Sequence, residues 1–219
     1  NKKIFKFDKK YKRFKKPTLT DQLDYINEKK ATPSIAFFFS RDKVESKARF
    51  AANLVNKNKD NHGLKILFQT VFNDITAEEY QLLNLDELYW MWSRKIGFHH
   101  AGLAPIIKEF VEHLFLNKYI DVLFATETLS LGINMPAKSI MIDSPFKFDG
   151  VRTRLISKSE FLQLTGRAGR RGIDNKGFAY INYDRRIENN WYNDLFNLKP
   201  NNLMSSYSNS YGSVLNLCN

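Results

Sequence analysis

Ser34-Ile35-Ala36-Phe37-Phe38-Phe39 is a continuous apolar run with no polar alternation. Such a run fits a strand buried on both faces, as in a parallel sheet covered by helices. It ends at Ser40-Arg41. In open α/β sheets ligands sit outside the carboxyl ends of the strands, so these two residues stand where a site is expected. Working outward, Asp42 to Lys57 sets Val44, Ala48, Ala51 and Val55 at helical spacing, the pattern of a core-facing helix. On the other side, Pro17 to Lys30 reads as a short helix carrying Leu23 and Ile26, with Thr20 able to cap it.

The alternation continues along the chain. Asn58 to Gly63 reads as a polar loop, and Thr76-Ala77-Glu78-Glu79 as a capping box opening one or two packed helices. Their aromatic cluster includes Trp90 and Trp92, either of which could contact a neighbouring domain. Pro105 to Asn117 has one apolar face at period 3.6, with proline in the first turn. Ile120–Ala125, Ser139–Asp143 and Gly177–Tyr183 are short apolar runs suited to buried strands. Strand and helix in alternation predict an α/β fold with a mostly parallel central sheet and helices on both faces.

Composition sets the bounds. The 219 residues can hold one good-sized core, or one core with a fragment of another, and the single cysteine, Cys218, rules out a disulfide framework and fits a reducing, cytoplasmic setting. No apolar run is long enough to span a bilayer as a helix, so no membrane partner is expected. The net charge of +11 is concentrated at the start, where residues 1–16 carry nine Lys or Arg and one Asp, a net of +8. Interleaved with Phe5, Phe7, Tyr11 and Phe14, this stretch suits a nucleic-acid backbone with stacking, or a solvated end.

Four places carry chemistry. Phe161–Gly172, FLQLTGRAGRRG, sets Arg167, Arg170 and Arg171 among Gly166, Gly169 and Gly172 after a helical run. Planar guanidinium forks match phosphate oxygens, so this reads as an arginine-finger element or as a basic turn capped by glycines. Arg167 and Arg170 share a face if the helix continues, and Gln163 lies four before Arg167 on that face. His99 and His100 are adjacent in a β-like stretch and point to opposite sides, so no metal is expected there. Thr126 follows a strand and offers either an anion site at a helix head or an ordinary N-cap. Phe146–Ile156 carries Lys147, Arg152 and Arg154 around Asp149-Gly150, a two-residue hairpin signal.

Phe161–Gly172 resembles motif VI of superfamily 2 helicases, and Ala125–Ala137, ATETLSLGINMPA, resembles their motif V. Lys147-Phe148-Asp149-Gly150, FHHAGLAP at Phe98–Pro105 and FFFSR at Phe37–Arg41 resemble segments of the superkiller and exosome-associated DExH-box RNA helicases. The resemblance runs in order from about Thr32 to Tyr183 and implies a RecA-like fold, the second of two such lobes. It implies a basic lead-in and linker helix over residues 1–30, the lobe over 31–199, and the start of a winged-helix domain over 200–219. By resemblance, Gln163, Arg167 and Arg170 are catalytic and, with Gly132 and Asn134, bind ATP. Ser40, Arg41, His100, Gly102, Thr126, Glu127 and Thr128 contact nucleic acid, and Lys147, Asp149, Gly150 and Arg152 belong to a strand-separating hairpin. The implied partners are RNA with a single-stranded 3′ overhang, a first RecA-like lobe, the winged-helix domain and an RNA-degradation complex. Translocation from 3′ to 5′ is likewise implied.

ATP hydrolysis of this type needs a G-x-x-x-x-G-K-[ST] loop and an acidic pair that holds Mg²⁺. The glycine spacing occurs at Gly97–Gly102 and Gly172–Gly177, yet these run on into Leu103 and Phe178. Asp86-Glu87 falls in a helical aromatic segment rather than after a strand. The chain by itself is therefore expected to be inactive, with ATP and Mg²⁺ held mainly by a first lobe. The alternatives are the lobe of a related DNA repair helicase, which shares the motif V and VI layout, and a non-catalytic RNA-binding module.

Overall fold

The computed structural model describes residues 17–55, 62–130 and 135–197. The basic stretch 1–16, Gly132 and Asn134, and the 200–219 segment lie outside them. In chain order the elements are α1 (Leu19–Glu28), β1 (Ser34–Phe37), α2 (Arg41–Leu54), α3 (His62–Val71), α4 (Ala77–Leu82), α5 (Leu85–Trp92), β2 (Ile96–His99) and α6 (Pro105–Leu116). Then come β3 (Val122–Ala125), a 3₁₀ turn (Glu127–Ser130), β4 (Ser139–Ile142), β5 (Phe146–Phe148), β6 (Thr153–Leu155), α7 (Lys158–Thr165), β7 (Phe178–Ile181) and α8 (Asn189–Phe196). Among the described residues no helix is long and apolar enough to cross a membrane.

Five strands form one parallel sheet in the order β2-β3-β1-β4-β7, flanked by helices, which is the RecA-like α/β arrangement. The apolar run behaves as its composition requires: all four residues of β1 are buried, as are those of β2, β3 and β4. Ser34 begins in register with Val122 and Ser139, and Ser139 with Phe178, so the strands start and stop nearly level. The one polar pair among them is satisfied internally. Ser139 Oγ donates to the carbonyl of Ala31 at 2.7 Å and contacts Ser34 Oγ at 2.9 Å.

Helices cover both faces. His99 and His100 point apart, and their partners are Glu112 on α6 and Glu45 on α2, which puts these two helices on opposite sides of the sheet. Beside α6 an aromatic cluster fills the space between α3, α5 and α6: Phe110 meets Trp92 at 5.1 Å and Phe72 at 5.0 Å between ring centroids. Edge-on contacts of this kind add about 0.5–1.5 kcal/mol each beyond area burial. α1 is tied to the far edge, with Tyr25 edge-on to Tyr180 and Gln22 donating to Asn182 Oδ1.

Four expectations need correction. Thr18, not Thr20, caps α1, because Thr18 and Asp21 exchange bonds as a capping box and leave Thr20 inside the helix. Val55 ends α2 in an extended conformation and is 38% exposed, while Ala52 takes the buried position. His62-Gly63 opens α3 rather than lying in a loop, and a glycine there suits the site because a Cβ would meet the Tyr119 hydroxyl. Trp92 is buried in the cluster just described and presents nothing to a neighbour; Trp90 is half-buried, stacked under the Arg94 guanidinium. The Thr76–Glu79 capping box forms as expected, and the segment it opens splits into α4 and α5 at Asn84, whose φ is +50°.

Candidate functional site

Among the described residues, those singled out in the sequence collect at the two ends of the parallel sheet. At the carboxyl ends, three neighbouring strands deliver them. β1 leads to Ser40-Arg41, β2 to His100 and Gly102, and β3 to Thr126–Thr128. Backbone bonds hold the exits level: the Phe38 N–H donates to Ala125 and the Thr126 N–H to His99.

His100 is 4% exposed and does not reach solvent itself. Its Nδ1 accepts from the Gly102 N–H at 3.1 Å, so that nitrogen carries no proton, and Nε2 donates to Glu45 at 3.0 Å. The ring therefore shapes the 100–102 loop from behind. A Cβ on Gly102 would stand 3.1 Å from Arg41 Nη1, so the exposed arginine lies directly beside the exposed turn. His99 is 3% exposed against Glu112; burial pushes its imidazole below the ordinary value, and the carboxylate only partly offsets this.

After β3 there is no full helix head at the described residues, only the 3₁₀ turn. The Thr126 hydroxyl is 2.8 Å from that of Thr128, which fixes it locally instead of leaving it as a simple N-cap. Thr128 is exposed, Glu127 half-buried.

Next to this loop stands the β5–β6 hairpin. Phe146, Lys147 and Phe148 pair with Leu155, Arg154 and Thr153, so the connection is the four residues 149–152 and not a two-residue turn. Asp149 accounts for the longer loop. Its Oδ1 accepts from the N–H groups of Val151 and Arg152, and Gly150 follows it at φ +101°. The hairpin is apolar at the tip, with Phe148 60% and Val151 89% exposed beside Arg152. Lys147 is turned inward, to Glu127 and Glu160 at 3.1 Å each. Partial burial pulls its ammonium down, but the two carboxylates outweigh this and hold it above its ordinary value.

α7 starts beside this hairpin and runs back to the amino end of the sheet. Ser157 caps it and Glu160 closes the capping box. It stops at Gly166, so Arg167 and Arg170 do not ride on a continuing helix and Gln163 shares no helical face with Arg167. Strand-like pairing takes over. The Ala137 N–H donates to the Arg167 carbonyl at 3.0 Å and the Gly169 N–H to the Ala137 carbonyl at 2.7 Å, drawing residues 167–169 against the start of β4. This contact requires Gly177, where a Cβ would lie 2.4 Å from the Ala168 backbone.

Gln163, Arg167, Arg170 and Arg171 nonetheless line one open cleft of about 1010 Å³, together with Pro33 and Lys118, which precede β1 and β3. Burial pushes the Arg167 guanidinium below its ordinary value, a cost to its charged form. Arg170 is clamped by a residue the sequence did not suggest. Asp174 accepts from its Nε at 2.7 Å, its Nη2 at 2.8 Å and its backbone N–H at 3.0 Å. These bonds pull the Asp174 carboxyl down to about 2 and raise the guanidinium in turn. The i, i+4 spacing of Arg170 and Asp174 was the available signal, but only the turn that follows the glycines brings the two together.

Comparison with known proteins bears on both ends. The family described as helicase conserved C-terminal domain matches residues 46–172. The chain is 37% identical over 193 residues to the Arabidopsis thaliana DExH-box ATP-dependent RNA helicase DExH10, covering 88% of this chain and 19% of that protein. It is 35% identical over 193 residues to the Homo sapiens exosome RNA helicase MTR4, 88% of this chain and 18% of that one. Against the Saccharomyces cerevisiae antiviral helicase SKI2 it is 31% identical over 205 residues, 92% of this chain and 16% of that one. The chain thus spans about a fifth of the length of such relatives. With a five-stranded parallel RecA-like sheet, the arginine–glycine turn at its amino end and the family match over residues 46–172, the chain belongs to the helicase conserved C-terminal domain family.

Proposed function

We propose that this chain is the lobe of an ATP-dependent RNA helicase that completes the nucleotide site from one side and grips RNA with the other. The observation that carries the reading is the separation of the two residue sets to opposite ends of one sheet. Arg167 and Arg170 reach the transferring phosphoryl group from the amino-end cleft, with Gln163 beside them to orient the attacking water. The cleft's donors are guanidinium and amide groups, which suit phosphate oxygens and not a metal ion. Mg²⁺ falls to the acidic pair of a first RecA-like lobe, and ATP is held between the two.

RNA lies across the carboxyl ends, where Ser40, Arg41, the Gly102 turn, Glu127 and Thr128 meet one strand, with His100 and Thr126 setting the loops from behind. The exposed apolar tip of the hairpin is suited to unstack a base pair, as apolar wedges do. Gly132 and Asn134 complete the nucleotide side by family resemblance, which is also what supports 3′ to 5′ movement. The name of one relative, exosome RNA helicase, supports an exosome-like partner. The test is the ATPase rate of the intact parent protein with single-stranded RNA against DNA of the same sequence, with Arg167→Ala and Arg170→Ala as controls. Stimulation by RNA that is lost in both variants is expected. Stimulation by DNA alone would move the protein to the repair branch, and an absence of ATPase would leave a binding module.

A further inference from the structure

Glu160 sits where three elements meet. One of its oxygens closes the N-terminal cap of α7, accepting from the Ser157 N–H at 2.8 Å. The same carboxylate takes Arg154 of β6 in two bonds, 2.8 and 2.9 Å, and Lys147 of β5 at 3.1 Å. Lys147 and Arg154 are directly opposed across the hairpin. Like charges so placed repel each other, and Glu160 between them turns the repulsion into a clasp. The chain of charges extends at both ends, from Lys147 to Glu127 on the loop after β3 and from Arg154 to Asp149 in the hairpin turn. Arg154 first, then the Ser157 and Lys147 contacts, hold the Glu160 carboxyl well below the usual carboxylate range against its partial burial.

The hairpin itself has only three residues in each strand. A two-stranded ribbon is marginal in water, so its pose depends on what anchors it. α7 is eight residues long, a rise of about 12 Å. Its first turn holds the hairpin; just beyond its last turn stands Arg167.

We propose that Glu160 is a positioning residue that fastens the hairpin to α7, so that the hairpin moves as one body with the end of the helix that presents Gln163 and Arg167. The fastening is a statement about structure; its consequence for unwinding rests on the helicase reading above.

Two substitutions in the intact parent protein separate this role from helix capping. Glu160→Gln keeps an oxygen for the Ser157 N–H, since glutamine serves in a capping box, but removes the charge that draws Lys147 and Arg154 together. Glu160→Ala removes both. In Glu160→Gln the amides of Asp149 and Ile156, bonded to the carbonyls of Arg152 and Pro145, should exchange with deuterium faster while α7 keeps its protection. Base pairs opened per ATP hydrolysed should fall about fivefold, the lower end of coupling between sites. Unchanged exchange and unwinding per ATP in Glu160→Gln would overturn the proposal, as would a loss seen only in Glu160→Ala, which would make Glu160 a cap alone. If the parent shows no RNA-stimulated ATPase, the helicase reading fails, and the exchange measurement still decides the fastening.

Discussion

At the carboxyl end of the sheet the exposed groups are placed by neutral, buried machinery: a histidine whose two ring nitrogens are both engaged, a pair of threonine hydroxyls, and three loops tied by backbone bonds. At the amino end placement is done by charge, with an arginine clamped by a carboxylate and a second arginine partly stripped of water. The difference suits two kinds of ligand. A polymer that must slide needs many weak contacts on a preset surface, whereas a transferring phosphoryl group needs a few strong cations at fixed points. Chemistry and grip should therefore respond to different substitutions.

The largest effect expected from this contrast is on rate. Arg167→Ala or Arg170→Ala in the intact parent should lower ATP hydrolysis by about a thousandfold or more while RNA affinity stays near wild type; a wild-type rate in either variant would remove that residue from the site. Asp174→Asn comes next. With the clamp weakened, Arg170 loses its fixed orientation, and kcat should fall about tenfold to a hundredfold with a smaller change in KM. A normal kcat would show that the clamp is structural only. Arg41→Ala should act at the other end: the RNA concentration for half-maximal stimulation rises, and the slope of log affinity against log salt shrinks by about 0.7, the share of one phosphate contact on a single strand. An unchanged slope would take Arg41 off the RNA path.

Acid titration of stability gives the smallest effect and separates the two ends by pH. His99 is buried with its pKa lowered from 6.5, so the unfolded chain takes the proton first. Its contribution is complete above that value and is lost as the pH falls from there through the lower folded value. Asp174 falls from 3.8 to about 2 on folding, so its contribution is complete above its unfolded value and is lost as the pH drops toward 2. It is worth at most about 2 kcal/mol. Urea unfolding across this range should show a shallow upper step that disappears in His99→Asn and a lower one that disappears in Asp174→Asn. Loss of both steps in one variant would mean that the substitution disturbs the native surroundings of both groups.

Much of the frame was legible because burial on both faces leaves a plain mark. Ile35 to Phe38 could only be a covered strand, and Pro105 to Leu116 could only be a helix with one apolar face. The Thr76–Glu79 cap was readable because it is local. What escaped depends on chain geometry beyond a few residues. His62-Gly63 carried loop chemistry, and the packing of Leu64 behind it decided for helix. The hairpin length was misread because Asp149 spends its side chain on two backbone N–H groups rather than on a tight turn. Glu160 had a visible signature in Ser157-x-x-Glu160, but nothing local could show that Lys147 and Arg154 would fold back onto it. Asp174 was hidden because its partnership with Arg170 exists only once the glycines have ended the helix.

The clamp on Arg170 also bears on what the lobe ignores. Cells are full of free phosphate, and an uncovered arginine fork in an open cleft is a good receptor for it. With the Nε–H and one N–H of Nη2 already given to Asp174, a small anion meets an ion pair with little net charge, and the donors left to it are the two N–H groups of Nη1 and one of Nη2. The free ion gains little there. On the helicase reading proposed above, a nucleotide presented from a facing surface would bring contacts of its own to the donors that remain, and the internal carboxylate would then favour a delivered phosphoryl group over a dissolved one.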